Sequence, residues 1–101
     1  MALTKEQIKE FKAAEKEAEG QEVRGVIFFD LKYVADSMVD AGDKKWAKEI
    51  YKKAEGKAQD CSEFMELAES ITGYLVDKEW AKKIYKKAEK KAEEIFEINE
   101  L

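Results

Sequence analysis

Apolar residues recur three and four positions apart along most of the chain, with lysine and glutamate filling the positions between them. This spacing places the apolar residues on one side of a helix. Trp46, Ala47, Ile50, Tyr51, Ala54 and Ala58 share one face, and Trp80, Ala81, Ile84, Tyr85, Ala88, Ala92, Ile95 and Phe96 share another. Leu31, Val34, Ala35 and Met38, and later Phe64, Leu67, Ala68 and Ile71, repeat the pattern upstream of each. Near the start, Ile8, Phe11, Ala14 and Ala18 line one side of Leu3 to Glu19. The pattern predicts five helices, at about 4–19, 26–41, 43–58, 61–75 and 77–98, and therefore an all-α fold. The β-prone run Val26–Phe29 is the one competing signal. A lone short strand has no partner to pair with, so helix is expected there too.

The punctuation agrees with these boundaries. Asp60 followed by Glu63 fits a capping box, and Asp43 and Asp77 fit N-caps. Gly42 stands where a helix end needs a left-handed residue. Proline is absent, so no helix interior is broken by one.

The chain repeats itself. WAKEIYKKAE (46–55) and WAKKIYKKAE (80–89) differ at one position, at an offset of 34. Upstream, LKYVADSM (31–38) matches FMELAESI (64–71) more weakly, at an offset of 33. The unit is a pair of helices, A then B, with one extra residue between them in the second copy. Residues 26–59 form the first unit and 60–101 the second, whose last helix is long. Residues 1–25 are an N-terminal helix and connector, and KEFKAAE resembles KEIYKKAE, so the first helix reads as an orphan B helix. Ala35, Ala68, Ala47, Ala54, Ala81 and Ala88 let helix axes approach, with Tyr51 and Tyr85 expected to fill the gaps beside them.

A two-helix unit of this period resembles the tetratricopeptide repeat. Leu31, Val34–Ala35 and Met38 occupy that family's helix A positions, and Gly42–Asp43, Ala47, Tyr51 and Ala54 its turn and helix B positions. Phe64, Leu67–Ala68, Ile71, Asp77, Ala81, Tyr85 and Ala88 do so in the second copy. The B segments are also similar to those of Sel-like repeats. Neither unit ends in the family's proline, the inter-helix turn of the second copy is longer, and the family's helix A aromatics are missing. The resemblance covers roughly residues 27–94 and implies antiparallel hairpins stacked as a short superhelix, or a five-helix bundle, with the A helices lining a concave groove.

With 101 residues the chain is one domain in size, and 45% hydrophobic residues suffice for one core. A net charge of −4 argues against a nucleic-acid binder, which needs a basic surface. No run of 18 apolar residues offers a membrane span, and the N-terminus lacks the charged and apolar segments of a secretory signal. A single cysteine, Cys61, excludes an intrachain disulfide and suits a reducing, cytoplasmic setting.

Catalysis is poorly provided for. Without histidine there is no imidazole base or metal ligand, and Cys61 has no evident activating partner. No glycine spacing fits a phosphate loop. LTKEQIKEFK is similar to the first helix of calmodulin-type proteins, but no calcium loop follows it. Neither a cofactor nor a metal is expected. Trp46 and Trp80 either cover a neighbouring helix or anchor an interface.

Charge is the most informative functional signal. Residues 26–41 carry three aspartates and one lysine, and residues 60–76 four acids and no base. Residues 43–59 carry six lysines and three acids, and residues 77–94 seven lysines and five acids. A helices are acidic and B helices basic. The resemblance then implies an acidic groove suited to a basic peptide or helix of a partner protein, held by Asp30, Tyr33, Asp36, Ser37, Glu66, Glu69, Ser70 and Tyr74. Charge alternation that aids packing and solubility is the plainer reading of the same pattern. Self-association is a second functional reading, because Ile95, Phe96, Ile98 and Leu101 make the last helix apolar and could pair it with a second copy. A consensus-like helical scaffold without a ligand is the third.

Overall fold

The structure is a computed structural model that describes residues 3–100, with side chains as far as Glu94. It is all-α. Five helices follow in order: α1 (Lys5–Glu19), α2 (Arg24–Ala41), α3 (Lys44–Lys57), α4 (Cys61–Ser70) and α5 (Lys78–Glu100). A π-helical turn, Ile71–Leu75, extends α4 toward α5.

Side chains start most of the helices. Asp43, Asp60 and Asp77 accept the backbone N–H of Trp46, Glu63 and Trp80 at 2.9, 2.8 and 3.1 Å. Each satisfies a donor that the first helical turn leaves without a partner. The Glu63 carboxylate reaches back to the N–H of Gln59 rather than Asp60, at 2.8 Å, so the expected box closes one residue further out. Thr4 and Gln7 form a full capping box at the start of α1. Helix α2 begins two residues before its expected start, and its N-cap residue, Val23, makes no side-chain cap. The Arg24 guanidinium instead donates to the carbonyls of Gly56 and Lys57 at 3.0 and 3.2 Å. These lie in the last turn of α3, where a cation is favoured. Ile27 and Phe28 are buried in α2, so the β-prone run is helical core.

The extra residue of the second unit sits inside helix A and not in a longer loop. In the first unit the N–H of Asp43 bonds to the carbonyl of Met38; in the second, Asp77 bonds to Ile71, one residue further back. The helix absorbs the insertion by widening one turn to π geometry, the usual response to a single added residue. Both A helices then end on a left-handed residue, Gly42 at φ 104° and Val76 at φ 57°.

Helices α2 and α3 pack as one hairpin and α4 and α5 as another. Phe28, Leu31, Ala35 and Met38 meet Ile50, Tyr51 and the α3 alanines, while Leu67, Ala68 and Ile71 continue the core to Ala81, Ile84 and Ala88. Each large apolar side chain buried here contributes about 1.5–3 kcal/mol.

Between successive B helices the same two contacts recur. Trp46 of α3 stands edge-on to Phe11 of α1, with centroids 6.1 Å apart, and Trp80 of α5 stands edge-on to Tyr51 of α3 at 6.5 Å. Lys53 bonds Glu15 at 2.5 Å, and Lys87 bonds Glu55 at 2.5 Å. In each case the lysine lies seven residues after the tryptophan, two turns along the same face. Helix α1 therefore stands where a B helix of a preceding unit would stand. Its Phe11 and Glu15 serve as Tyr51 and Glu55 do one layer later.

Tyr85 departs from its expected role. Its counterpart Tyr51 is fully buried, but Tyr85 is 40% exposed because none of the described residues forms a further layer over α5.

Candidate binding groove between the A helices

Four buried polar groups tie the two units together at the A-helix layer. Lys32 and Asp36 stand one helical turn apart on α2, and Ser70 ends α4. The Lys32 ammonium donates to Asp36 Oδ2 at 3.4 Å and to Ser70 Oγ at 3.3 Å, and Ser70 Oγ also lies 3.3 Å from Asp36 Oδ2. The Tyr51 hydroxyl reaches from α3 and donates to Asp36 Oδ1. Every member is buried, and among the described residues no buried side-chain nitrogen or oxygen lacks a partner. Burial and the adjoining Asp36 carboxylate push the Tyr51 phenol well above its ordinary range.

Above this cluster lies a shallow concavity of about 340 Å³ between α2 and the α4–π segment. Lys32, Asp36 and Ser70 form its floor, and Glu66, Glu69, Tyr33 and Tyr74 line it around them. Glu66 and Glu69 are exposed, and the two tyrosines are 58% and 39% exposed. Lys32 is the one cation in the lining; it is paired with Asp36 and lies 4.3 Å from the Tyr33 ring centroid. The two glutamates therefore set the charge that the concavity presents to solvent.

Six of the eight residues expected to bind thus meet in one place. The other two lie elsewhere: Asp30 borders a smaller recess with Ala14 and Ala18 of α1, and Ser37 is exposed on α2 outside the concavity. Asp36 is 7% exposed and already bonded three ways, so it acts as a structural counterion to Lys32. Sequence reasoning missed two members of the cluster. Lys32 and Asp36 at i and i+4 were a readable signal; the Tyr51 hydroxyl gave none, since its helical position indicates only burial.

The tryptophans lie away from this groove, on the B-helix side. Trp80 also donates through Nε1 to Glu55 at 3.3 Å. Lys53 bridges Glu15 and Glu19 there, which raises the Lys53 pKa and lowers that of Glu19 through the shared hydrogen bond. Cys61 is half-buried at the start of α4. Among the described residues no three Cys, Asp or Glu side chains gather as a metal site, and no helix is long and apolar enough to cross a membrane. The apolar end, Ile95, Phe96, Ile98 and Leu101, lies outside the described side chains.

The architecture defines a bundle of helical hairpins in which one interhelical contact set is used twice. In comparisons with protein-family models, curated proteins and solved structures, nothing matches this chain.

Proposed function

We propose that this is a non-enzymatic, tetratricopeptide-like interaction module that holds a basic peptide or helix of a partner protein in the groove between α2 and the α4–π segment. One observation carries the reading. Two exposed carboxylates, Glu66 and Glu69, share a concavity with two accessible tyrosines, and its single cation is already neutralised by Asp36. Carboxylates attract lysine and arginine side chains, while tyrosine rings cover their aliphatic stems and stack on guanidinium groups. The π turn supports the reading, because it precedes α5 and carries Tyr74 into the lining beside the glutamates. Such turns concentrate at functional sites. A single half-buried cysteine suits action in a reducing, cytoplasmic setting.

The test is binding of an arginine- and lysine-rich helical peptide to the intact chain, followed by calorimetry across ionic strength. Reversing Glu66 and Glu69 to lysine is expected to weaken binding about tenfold or more and to remove its salt dependence. Both side chains are exposed, so melting should be unchanged. Equal affinity in the double variant overturns the reading.

A further inference from the structure

The contact set that joins α1 to α3 and α3 to α5 has a third, uncovered copy. One unit beyond Tyr51 and Glu55 stand Tyr85 and Glu89, both exposed on the outer side of α5. Lys48 makes two more contacts across the second interface: it lies 5.9 Å from the Trp80 ring centroid and 3.8 Å from Asp77. Its counterpart one unit on is Lys82. Lys82, Tyr85, Ala81 and Thr72 line a recess of about 240 Å³. In the first unit the corresponding Ala47 and Tyr51 are fully buried and Val39 is half-buried. The receiving half of the interface is thus complete on α5: a tyrosine beside an alanine to seat an indole, a lysine for an aspartate, and a glutamate for a lysine.

We propose that this outer face of α5 docks a helix from a partner protein that carries an aspartate, a tryptophan three residues later, and a lysine seven residues after that. The geometry follows from the interface already present. Asp77, Trp80 and Lys87 have this spacing where α5 meets α3, and Asp43, Trp46 and Lys53 repeat it in α3. The docked tryptophan stands edge-on to Tyr85, its aspartate faces Lys82, and its lysine pairs with Glu89, for which the described residues provide no ion pair. A second copy of this chain is a poor occupant. Both of its segments with this spacing are engaged internally, and α1 has Glu6 and Ala13 where the tryptophan and lysine would have to be.

The probe is a lactam-stapled peptide with the sequence of residues 77–92, titrated into the isotope-labelled full chain and followed by amide shifts. The expected shifts are at Thr72, Lys82, Tyr85 and Glu89. Replacing the peptide's tryptophan by alanine should weaken binding about tenfold or more, as for a central aromatic anchor. Glu89→Lys in the chain should weaken it too, and changing the peptide lysine at the position of Lys87 to glutamate should restore it. Three results overturn the proposal. They are no shift on α5 with the peptide in large excess, shifts confined to Glu66, Glu69 and Tyr74 that ignore the loss of tryptophan, and a dimer of the chain alone that Tyr85→Lys dissolves. The second of these places the basic peptide in the acidic groove and leaves that separate reading standing.

Discussion

Val76 holds the left-handed conformation that Gly42 holds at the same point of the preceding unit, at φ 57° against 104°. Both close an A helix and pass the chain to an N-capping aspartate. A β-branched residue is strained in that region by about 1–2 kcal/mol, whereas glycine is not. Val76 is 60% exposed, so little burial offsets the strain. Val76→Gly is therefore expected to stabilise the fold by about 0.5–1 kcal/mol after the added freedom of the unfolded chain is counted. Gly42→Val should destabilise it by about 1–2 kcal/mol. Denaturant melts of the two variants check the pair, and their shifts should have opposite signs.

Asp36 and Glu69 belong to the same groove but should differ sharply in their response to charge reversal. Asp36→Lys removes the partner of a buried ammonium and buries a second one beside it, at a cost of about 3–5 kcal/mol. Glu69→Lys changes an exposed position and should fall within about 0.5 kcal/mol of the parent. Thermal melts decide this directly.

Tyr51 gives the fold an alkaline limit. Its folded pKa lies above the ordinary 10.0, so the folded chain keeps a proton that the unfolded chain releases. The contribution is complete below pH 10.0 and declines as pH rises beyond it. Tyr51→Phe should cost about 1–2 kcal/mol near neutrality. It should also flatten the loss of stability between about pH 9 and about pH 11, which Tyr85→Phe should leave in place. Urea titrations across that range supply the slopes.

Helix α1 is secured by Trp46 against Phe11, by Ala18 in the core and by the Lys53 bridge to Glu15 and Glu19. The bridge is only partly buried and contributes about 1 kcal/mol or less. Trp46→Ala should therefore release α1 first. Hydrogen exchange should accelerate in residues 5–19 while Leu67, Ala68 and Ile84 keep their protection, since local openings follow the least-buried contacts. Uniform acceleration would show that α1 and the hairpins unfold as one unit.

Gly73 lies in the π turn through which the second A helix takes up its extra residue, and a Cβ there would meet nothing within 4 Å. Deleting it should convert the π turn to α geometry and leave the chain folded, with a stability change under about 1 kcal/mol. Tyr74 should then turn away from Glu66 and Glu69, and binding of the basic peptide should weaken. Circular dichroism and calorimetry separate the two effects.

The helices, four of their end residues and the repeat follow from sequence because they rest on short-range rules. Apolar spacing selects the buried face, and aspartate before a helix satisfies its first donors, whatever lies beyond. Asp43, Asp60, Asp77 and Gly42 could be placed on that basis alone. The mismatch between offsets of 33 and 34 was also visible in the sequence, where it reads as a longer turn between the helices; the structure absorbs it in a widened helical turn instead. Tertiary structure decided that, since the hairpin keeps Ile71 in the core only if the extra residue is taken up after it. It also decided the fates of Tyr51 and Tyr85, which occupy equivalent places in a near-identical stretch, because one has a further layer above it and the other, among the described residues, does not. Asp36 reads as one more acid on an acidic helix until Lys32, Ser70 and Tyr51 close around it from three helices. Long-range neighbours set a side chain's burial and pairing, and local sequence carries no record of them.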